Sequence, residues 1–189
     1  MPSITQAQPR VRAPRCVGSD PWTHRLAPVR LPLLTAEPVD SSFFETAPQR
    51  LRDTFEIARP AADVWAQLTG DSALEWCRIL TDVSWTSPRP FGVGTTRTVR
   101  GLAGASVIEE RFFVWEEGRR QSFYAVAMSV PMFRRFGEDL ELEPTGDASC
   151  RLTWTIAIES RPWARPTAAL NALIFRTLFA DTRRHYGAR

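Results

Sequence analysis

Glu110 is the residue of this chain whose position points most directly to chemistry. It lies in a strand predicted over residues 106–115, where successive side chains alternate between two faces. Ile108, Glu110 and Phe112 therefore share one face, which is apolar apart from the carboxylate. If that face turns inward, Glu110 requires a cationic partner, or it retains its proton with a raised pKa.

Two arginines, Arg97 and Arg135, are the candidate partners of this carboxylate. A carboxyl group in an apolar site can act as general acid or base on a ligand carbonyl, and an arginine beside it would stabilise the enolate. Tyr124, the only tyrosine in the predicted strands, could donate its hydroxyl to the same carbonyl. We predict Glu110, Arg97 and Tyr124 as the candidate catalytic residues. The alternatives are a structural ion pair, a Glu110 at the cavity mouth, and a Tyr124 hydroxyl bound to neighbouring backbone.

Several reaction classes are excluded by residues that the chain lacks. It contains no lysine, which excludes Schiff-base catalysis, lysine-bound pyridoxal phosphate and a phosphate loop with its lysine. No Gly-x-Ser-x-Gly motif occurs, so acyl-enzyme hydrolysis is not expected. Its two histidines are too far apart to build a metal triad. We expect neither a metal site nor a cofactor.

The three cysteines, Cys16, Cys77 and Cys150, are odd in number and far apart. This spacing is typical of reduced thiols in the cytoplasm and does not fit a zinc site. No apolar run approaches the ~20 residues of a membrane span, so no membrane insertion is expected. The predicted location is cytoplasmic.

Residues 51–159 predict a sheet of short strands. Apolar and polar residues alternate over residues 51–58, as in a half-buried strand, and a helix follows over residues 61–69. A second short helix is predicted from residue 71 or 72. Seven strands are predicted in all, over residues 51–58, 81–87, 95–100, 106–115, 121–130, 133–143 and 150–159.

The last long apolar run, residues 166–186, predicts one amphipathic helix. Its apolar residues recur at three- and four-residue steps, and Phe175 and Phe179 make the stripe too broad to face solvent. A curved antiparallel sheet wrapped around the helix would cover this stripe, which predicts an α+β fold. Asp181 and His185 lie one turn apart, a spacing that fits either a carboxylate orienting an imidazole or a surface pair.

Residues 1–48 differ from the rest of the chain. They hold more than half of the fifteen prolines and several arginines but show no periodic pattern. This composition predicts a flexible Pro/Arg-rich arm followed by one domain over residues 49–189. An arm that lies on an anionic surface or on nucleic acid is the alternative.

The residues that punctuate these elements carry a resemblance. They are Ile57-Ala-Arg-Pro60 before Asp63-Val-Trp65, Phe91-Gly-Val-Gly-Thr95 with Arg97, Glu110-Arg-Phe112 before Trp115-Glu-Glu-Gly-Arg-Arg120, and Glu143-Pro-Thr-Gly146 before Arg151-Leu-Thr-Trp-Thr155. In this order, residues 51–186 resemble the helix-grip (SRPBCC) superfamily of START-related lipid-transfer domains, pollen-allergen-type proteins and polyketide cyclases/dehydrases. The resemblance implies a seven-stranded curved sheet around the C-terminal helix, two short helices after the first strand, and an apolar cavity.

Large apolar side chains are the candidates for the cavity wall, although plain core packing is their alternative role. Those predicted to bind the ligand are Trp76, Trp85, Phe112, Phe123, Met128, Phe133, Trp154, Leu170, Ile174 and Leu178.

The expected function is therefore binding of a small hydrophobic ligand, namely a lipid, a polyketide or an aromatic compound, between sheet and helix. A polyketide cyclase or dehydratase using Glu110, Arg97 and Tyr124 is one alternative. A protein-interaction module whose cavity is filled by its own aromatic residues is another. No nucleic-acid partner is expected, and the size of the cavity distinguishes these functions.

Overall fold

The structure, a computed structural model, describes residues 32–188. In this part of the chain three helices accompany one antiparallel sheet of eight strands. The strands are β1 (Leu34–Thr35), β2 (Gln49–Ile57), β3 (Leu80–Trp85), β4 (Thr96–Gly101), β5 (Ser106–Glu116), β6 (Arg120–Met128), β7 (Phe133–Gly146) and β8 (Ser149–Ser160). The helices are α1 (Phe43–Thr46), α2 (Ala61–Thr69) and α3 (Ala168–Tyr186), with short 3₁₀ turns at Leu102–Gly104 and Pro162–Thr167.

The sheet runs in the order β2-β8-β7-β6-β5-β4-β3, so that β2 and β3 form its edges. The short strand β1 pairs with the end of β6, at Leu34 opposite Met128, beyond the point where β7 leaves that strand. The seven predicted strands are thus all present, and the predicted α+β fold, a curved sheet around a C-terminal helix, is confirmed. Alternation is clearest in β2, which buries Leu51, Phe55 and Ile57 on one face, whereas β7 and β8 contain runs of consecutive buried residues.

Helix α3 packs on the concave face of the sheet. Leu178 and Phe179 are buried there in the same cluster as Phe55 and Trp154 from β2 and β8. The helix begins two residues later than predicted, because residues 162–167 form a 3₁₀ turn. It ends as predicted at Gly187, whose φ of 60° lets its backbone N–H close the last turn.

The segment after α2 differs from its prediction. Residues 71–76 form consecutive turns and not a second short helix. Leu74 has a φ of 59°, which places it in the left-handed region and interrupts a right-handed helix. Leu74 and Cys77 are nevertheless buried in the main core.

The N-terminal part also differs where the structure describes it. Residues 1–31 of the predicted arm lie outside the described part of the chain, whereas within residues 32–48 strand β1 joins the sheet and helix α1 packs on its convex face. Phe43 and Phe44 of α1 are buried there beside Ala157 and Phe113. Gly137 permits this approach, because a Cβ at that position would lie 3.1 Å from Val39 and 3.4 Å from Phe44. Prolines interrupt this segment, so its sequence shows no periodic pattern that would predict these contacts.

Candidate functional site

A buried ion pair connects β4 and β5 on the concave face of the sheet. Arg97 and Glu110 are directly opposite each other, and Arg97 Nε donates to Glu110 Oε2 at 2.6 Å. Both side chains are almost completely buried, at 2% and 4% exposure. Glu110 therefore points inward, and of its two candidate partners Arg97 is the one that it contacts.

Aromatic rings surround the guanidinium of Arg97. Its central carbon lies 4.3 Å from the ring centre of Phe123, 5.1 Å from Phe112 and 5.5 Å from Trp85. Guanidinium groups bind aromatic faces favourably when water is excluded. The three rings therefore hold the cation in place and separate it from solvent.

Glu138 on β7 is a second buried carboxylate on the same face. Trp154 Nε1 donates to its Oε2 at 2.8 Å. Burial, together with the charge of Glu110, raises the pKa of Glu138 to about 8, although Arg97 and Trp154 oppose the shift. Burial also raises the pKa of Glu110, against the opposing charge of Arg97. We call Arg97, Glu110 and Glu138 the polar cluster. Within it, Glu138 retains its carboxyl proton at neutral pH.

Glu138 was missed by the sequence analysis, although a signal existed. Phe136, Glu138, Leu140 and Leu142 alternate with more polar neighbours along β7, and all four are buried. A carboxylate on the apolar face of a strand is the same pattern that identified Glu110.

An apolar cavity of about 100 Å³ lies between the sheet and the N-terminal half of α3. Its opening is marked by Leu102, which lines it and is 45% exposed. Two polar residues, Ser106 and Asn171, are part of the lining. The remaining wall is apolar and includes Val99, Ile108, Met128, Met132, Phe133, Ile174, Phe175 and Leu178.

The cavity and the polar cluster are neighbours along the same strands. Val99 and Ile108 line the cavity, and each lies two residues from Arg97 or Glu110. Residues two apart in a strand share a face and are separated by roughly 7 Å. The charged pair therefore lies one strand step beyond the inner end of the cavity.

Four of the ten predicted ligand-binding residues line this cavity: Met128, Phe133, Ile174 and Leu178. Phe112, Phe123 and Trp85 instead surround Arg97.

Three predicted residues lie elsewhere. Trp154 binds Glu138, and Trp76 packs on His185 while its Nε1 donates to Thr182 Oγ1 at 3.0 Å. Leu170 is 56% exposed, which corrects its prediction as a cavity residue. The reason is that α3 turns Asn171, Ile174 and Leu178 towards the cavity, whereas Leu170 lies at the edge of that face and is open to solvent.

Tyr124 does not join the polar cluster. It follows Phe123 in β6, and since Phe123 faces inward, Tyr124 faces the convex side, 6.0 Å from the ring of Phe113. This corrects the predicted grouping of Tyr124 with Glu110 and Arg97. Arg135, the other proposed partner, instead binds Glu159 at 2.6 Å.

The pair Asp181 and His185 is not brought together either. Asp181 is buried and accepts from the backbone N–H and Nε of Arg78 and from Arg184. His185 stacks on Trp76, with its Nε2 3.1 Å from Gln67 Oε1. The carboxylate therefore orients arginines and not the imidazole.

The cysteines and the metal-binding side chains of the described residues do not form a further site. Cys77 and Cys150 are free and buried, and burial raises the pKa of the Cys77 thiol to about 12. Residues 32–188 contain no group of three metal-binding side chains close enough to hold an ion. No helix in the same part of the chain is long and apolar enough to span a membrane.

Known proteins match this chain in sequence and in fold. The family described as polyketide cyclase / dehydrase and lipid transport matches residues 48–183. Uncharacterized proteins of Mycobacterium tuberculosis and Mycobacterium bovis are each 36% identical over 158 residues, which cover 81% of this chain and 93% of theirs.

Two solved structures share the fold at low sequence identity. A START superfamily protein from Mycobacterium smegmatis superposes with a TM-score of 0.60 at 12% identity, over 73% of this chain and 97% of that one. The major latex-like protein 151 of Panax ginseng superposes with a TM-score of 0.56 at 14% identity, over 73% and 97%.

Proposed function

We propose that this chain, which belongs to the polyketide cyclase / dehydrase and lipid transport family, binds a small hydrophobic ligand between its sheet and α3. The observation that carries the proposal is the apolar cavity walled by Val99, Ile108, Met128 and Ile174. Apolar walls of this kind gain free energy by excluding water from a lipid chain, a polyketide or an aromatic compound. We place this activity in the cytoplasm, which the free thiols of Cys77 and Cys150 support.

The cavity must widen when a ligand enters. It measures about 100 Å³, whereas ligand pockets commonly enclose roughly 300–1,000 Å³. Met128 and Met132 supply flexible walls that can repack around a guest. Phe175, which is only partly buried, can move with the exposed end of α3. Ligand entry therefore requires side-chain movement but no change in the sheet.

The polar cluster supports a second candidate function, acid–base catalysis of the cyclase or dehydratase kind. A ligand that extends past Val99 and Ile108 would meet Glu110 and Glu138, of which Glu138 retains its proton at neutral pH. A protonated and an ionised carboxyl group can serve as acid and base on one carbonyl compound, and Arg97 can stabilise the enolate. Tyr124 has no role in this catalytic proposal.

The binding proposal is tested with the neutral fluorescent probe N-phenyl-1-naphthylamine. Ile174→Trp should fill the cavity, weakening probe binding roughly tenfold or more while leaving the melting temperature equal or higher. Ile174→Leu, which conserves volume, should bind as the wild type does. Equal probe binding by both variants would contradict the cavity as the site.

The natural ligand is sought by native mass spectrometry of protein purified from its own host. A co-purifying apolar molecule that is absent from Ile174→Trp would support ligand binding. If neither probe nor molecule binds, the interior is a filled core and the interaction-module alternative is favoured.

Catalysis is tested by incubating any co-purified molecule with the wild type and following its mass. Glu110→Gln should abolish conversion, whereas Glu109→Gln should not, because Glu109 is the exposed neighbour on the opposite face. Unchanged conversion by Glu110→Gln would defeat the catalytic candidate and leave ligand binding intact.

A further inference from the structure

The start of α3 exposes large apolar side chains beside the cavity. Trp163, in the turn before the helix, is 62% exposed, and Leu170 and Leu173 are 56% and 63% exposed. Single exposed apolar residues are ordinary, but three within eleven positions at one end of a helix form a patch. Residues 32–188 provide no element that covers it.

This patch continues into a basic stripe along the same helix. Leu170, Leu173, Arg176, Ala180 and Arg184 follow one another at three- and four-residue steps and all are exposed. They therefore share one side of α3. Arg184 pairs with the buried Asp181, the only acidic residue in α3, so Arg176 is the arginine of the stripe without an ion-pair partner in residues 32–188.

An arginine-lined groove widens the positive surface. It lies between α3 and the edge strand β2, encloses about 930 Å³, and is lined by Arg50, Arg52, Arg176, Arg183 and Arg184. Arg50, Arg183 and Arg184 are paired with Glu45, Asp53 and Asp181. Arg52 and Arg176 have no ion-pair partner within residues 32–188. Unpaired positive charge is concentrated in this groove, since residues 32–188 as a whole contain more carboxylates than arginines.

We propose that this docking face, formed by Trp163, Leu170, Leu173, Arg52 and Arg176, binds the surface of an anionic phospholipid membrane with α3 lying along it. Leucine and tryptophan side chains gain free energy in the headgroup region, and arginines bind lipid phosphates. Nucleic acid could bind the arginines through its phosphates, but its backbone provides no apolar surface for the two exposed leucines. The face lies outside the cavity, so docking does not depend on ligand binding.

The proposal is tested with the full chain by flotation with vesicles. Vesicles of equal parts phosphatidylglycerol and phosphatidylcholine should carry the protein, and pure phosphatidylcholine vesicles should carry much less. Binding should weaken as salt is added, because the arginine contribution is screened. Failure to bind the anionic vesicles would overturn the proposal.

Matched variants locate the binding face. Arg52→Gln with Arg176→Gln should weaken binding about 25-fold, at about fivefold for each arginine. Arg111→Gln with Arg119→Gln removes the same charge from exposed positions elsewhere and should change binding far less. Leu170→Ser with Leu173→Ser should weaken binding roughly tenfold, whereas Val93→Ser, at a site that is 72% exposed, should not.

Residues 1–31 are unchanged in every variant, so a loss of binding is assigned to the docking face. Equal binding by the leucine variant and the wild type would overturn the proposal, as would capture of duplex DNA without capture of vesicles. Probe binding in the cavity should be unchanged in all these variants. Failure of docking is thus distinguishable from failure of ligand binding.

Discussion

The two halves of α3 meet the same sheet in different ways. At the C-terminal half, Phe179 packs on Phe55 and Trp154 with ring centres 6.2 and 5.6 Å apart, and Arg183 binds Asp53 through both carboxylate oxygens. At the N-terminal half, the helix borders the cavity and exposes Leu170 and Leu173.

This difference divides the interior into a closed end and an open end. The closed end, beneath residues 179–186, is filled by aromatic rings and held by ion pairs and hydrogen bonds. The open end, beneath residues 168–178, has fewer such contacts. Regions with few buried contacts open at lower free energy than the rest of a fold. A ligand can therefore enter at one end while the other end keeps the helix attached.

The largest expected effect compares one phenylalanine from each end. Phe179→Ala should lower the free energy of unfolding by about 3–5 kcal/mol, because a large, fully packed ring is removed. Phe175→Ala should cost less than half of that, since Phe175 is only partly buried and already faces a cavity. Urea denaturation of both variants measures the two losses. Equal losses would mean that the two ends are packed alike.

Polar side chains that anchor the two halves of α3 should give the next largest difference in the free energy of unfolding. Asp181→Ala should lower the free energy of unfolding by about 2 kcal/mol, because the buried carboxylate accepts from the backbone N–H of Arg78 and from two guanidinium groups, which all lose this acceptor. Asn171→Ala, at the open end, removes one hydrogen bond to Thr167 and should cost about 1 kcal/mol or less. The same urea titration applies, and a larger loss at Asn171 would reverse the assignment of the anchored end.

Much of this architecture could be predicted from strand alternation. Burial of one sheet face favours a period of two, so the strands and the shared face of Ile108, Glu110 and Phe112 were accessible from sequence, whereas the inward direction of that face was only a condition. The same rule could have placed Glu138 inside and excluded Tyr124, because Phe123 and Tyr124 are adjacent and cannot share a face.

The direction of α3 could not be predicted in the same way. Apolar residues occur on several sides of its first half, so periodicity does not choose between Leu173 and Ile174 as the inward residue. Tertiary packing makes that choice, by burying Phe179 and Asp181 at the other end and so fixing the rotation of the whole helix. The turn at Leu74 depends likewise on contacts between distant segments.

The polar cluster predicts how stability at the closed end depends on pH. Glu138 has a folded pKa of about 8, above its ordinary value, so the folded state binds the proton more tightly than the unfolded state does. Its stabilising effect is complete below pH 4.5 and is lost as the pH rises towards 8, at up to about 1.4 kcal/mol per pH unit. Urea titrations at several pH values should show this decline. Glu138→Gln should remove it, and Glu143→Gln, at an exposed position of the same strand, should leave it unchanged.

The smallest effect on stability is expected at the open end. Leu170→Ser and Leu173→Ser should each change the free energy of unfolding by no more than about 0.5 kcal/mol, because neither side chain is packed in the fold. Thermal denaturation of these two variants is compared with that of Leu178→Ser, whose side chain is buried on the inward side of the same helix and should be needed for stability. A large loss at Leu170 or Leu173 would show that these leucines contribute to the core. A negligible loss leaves them free to serve an outside surface, and the vesicle experiment then decides whether that surface is a membrane.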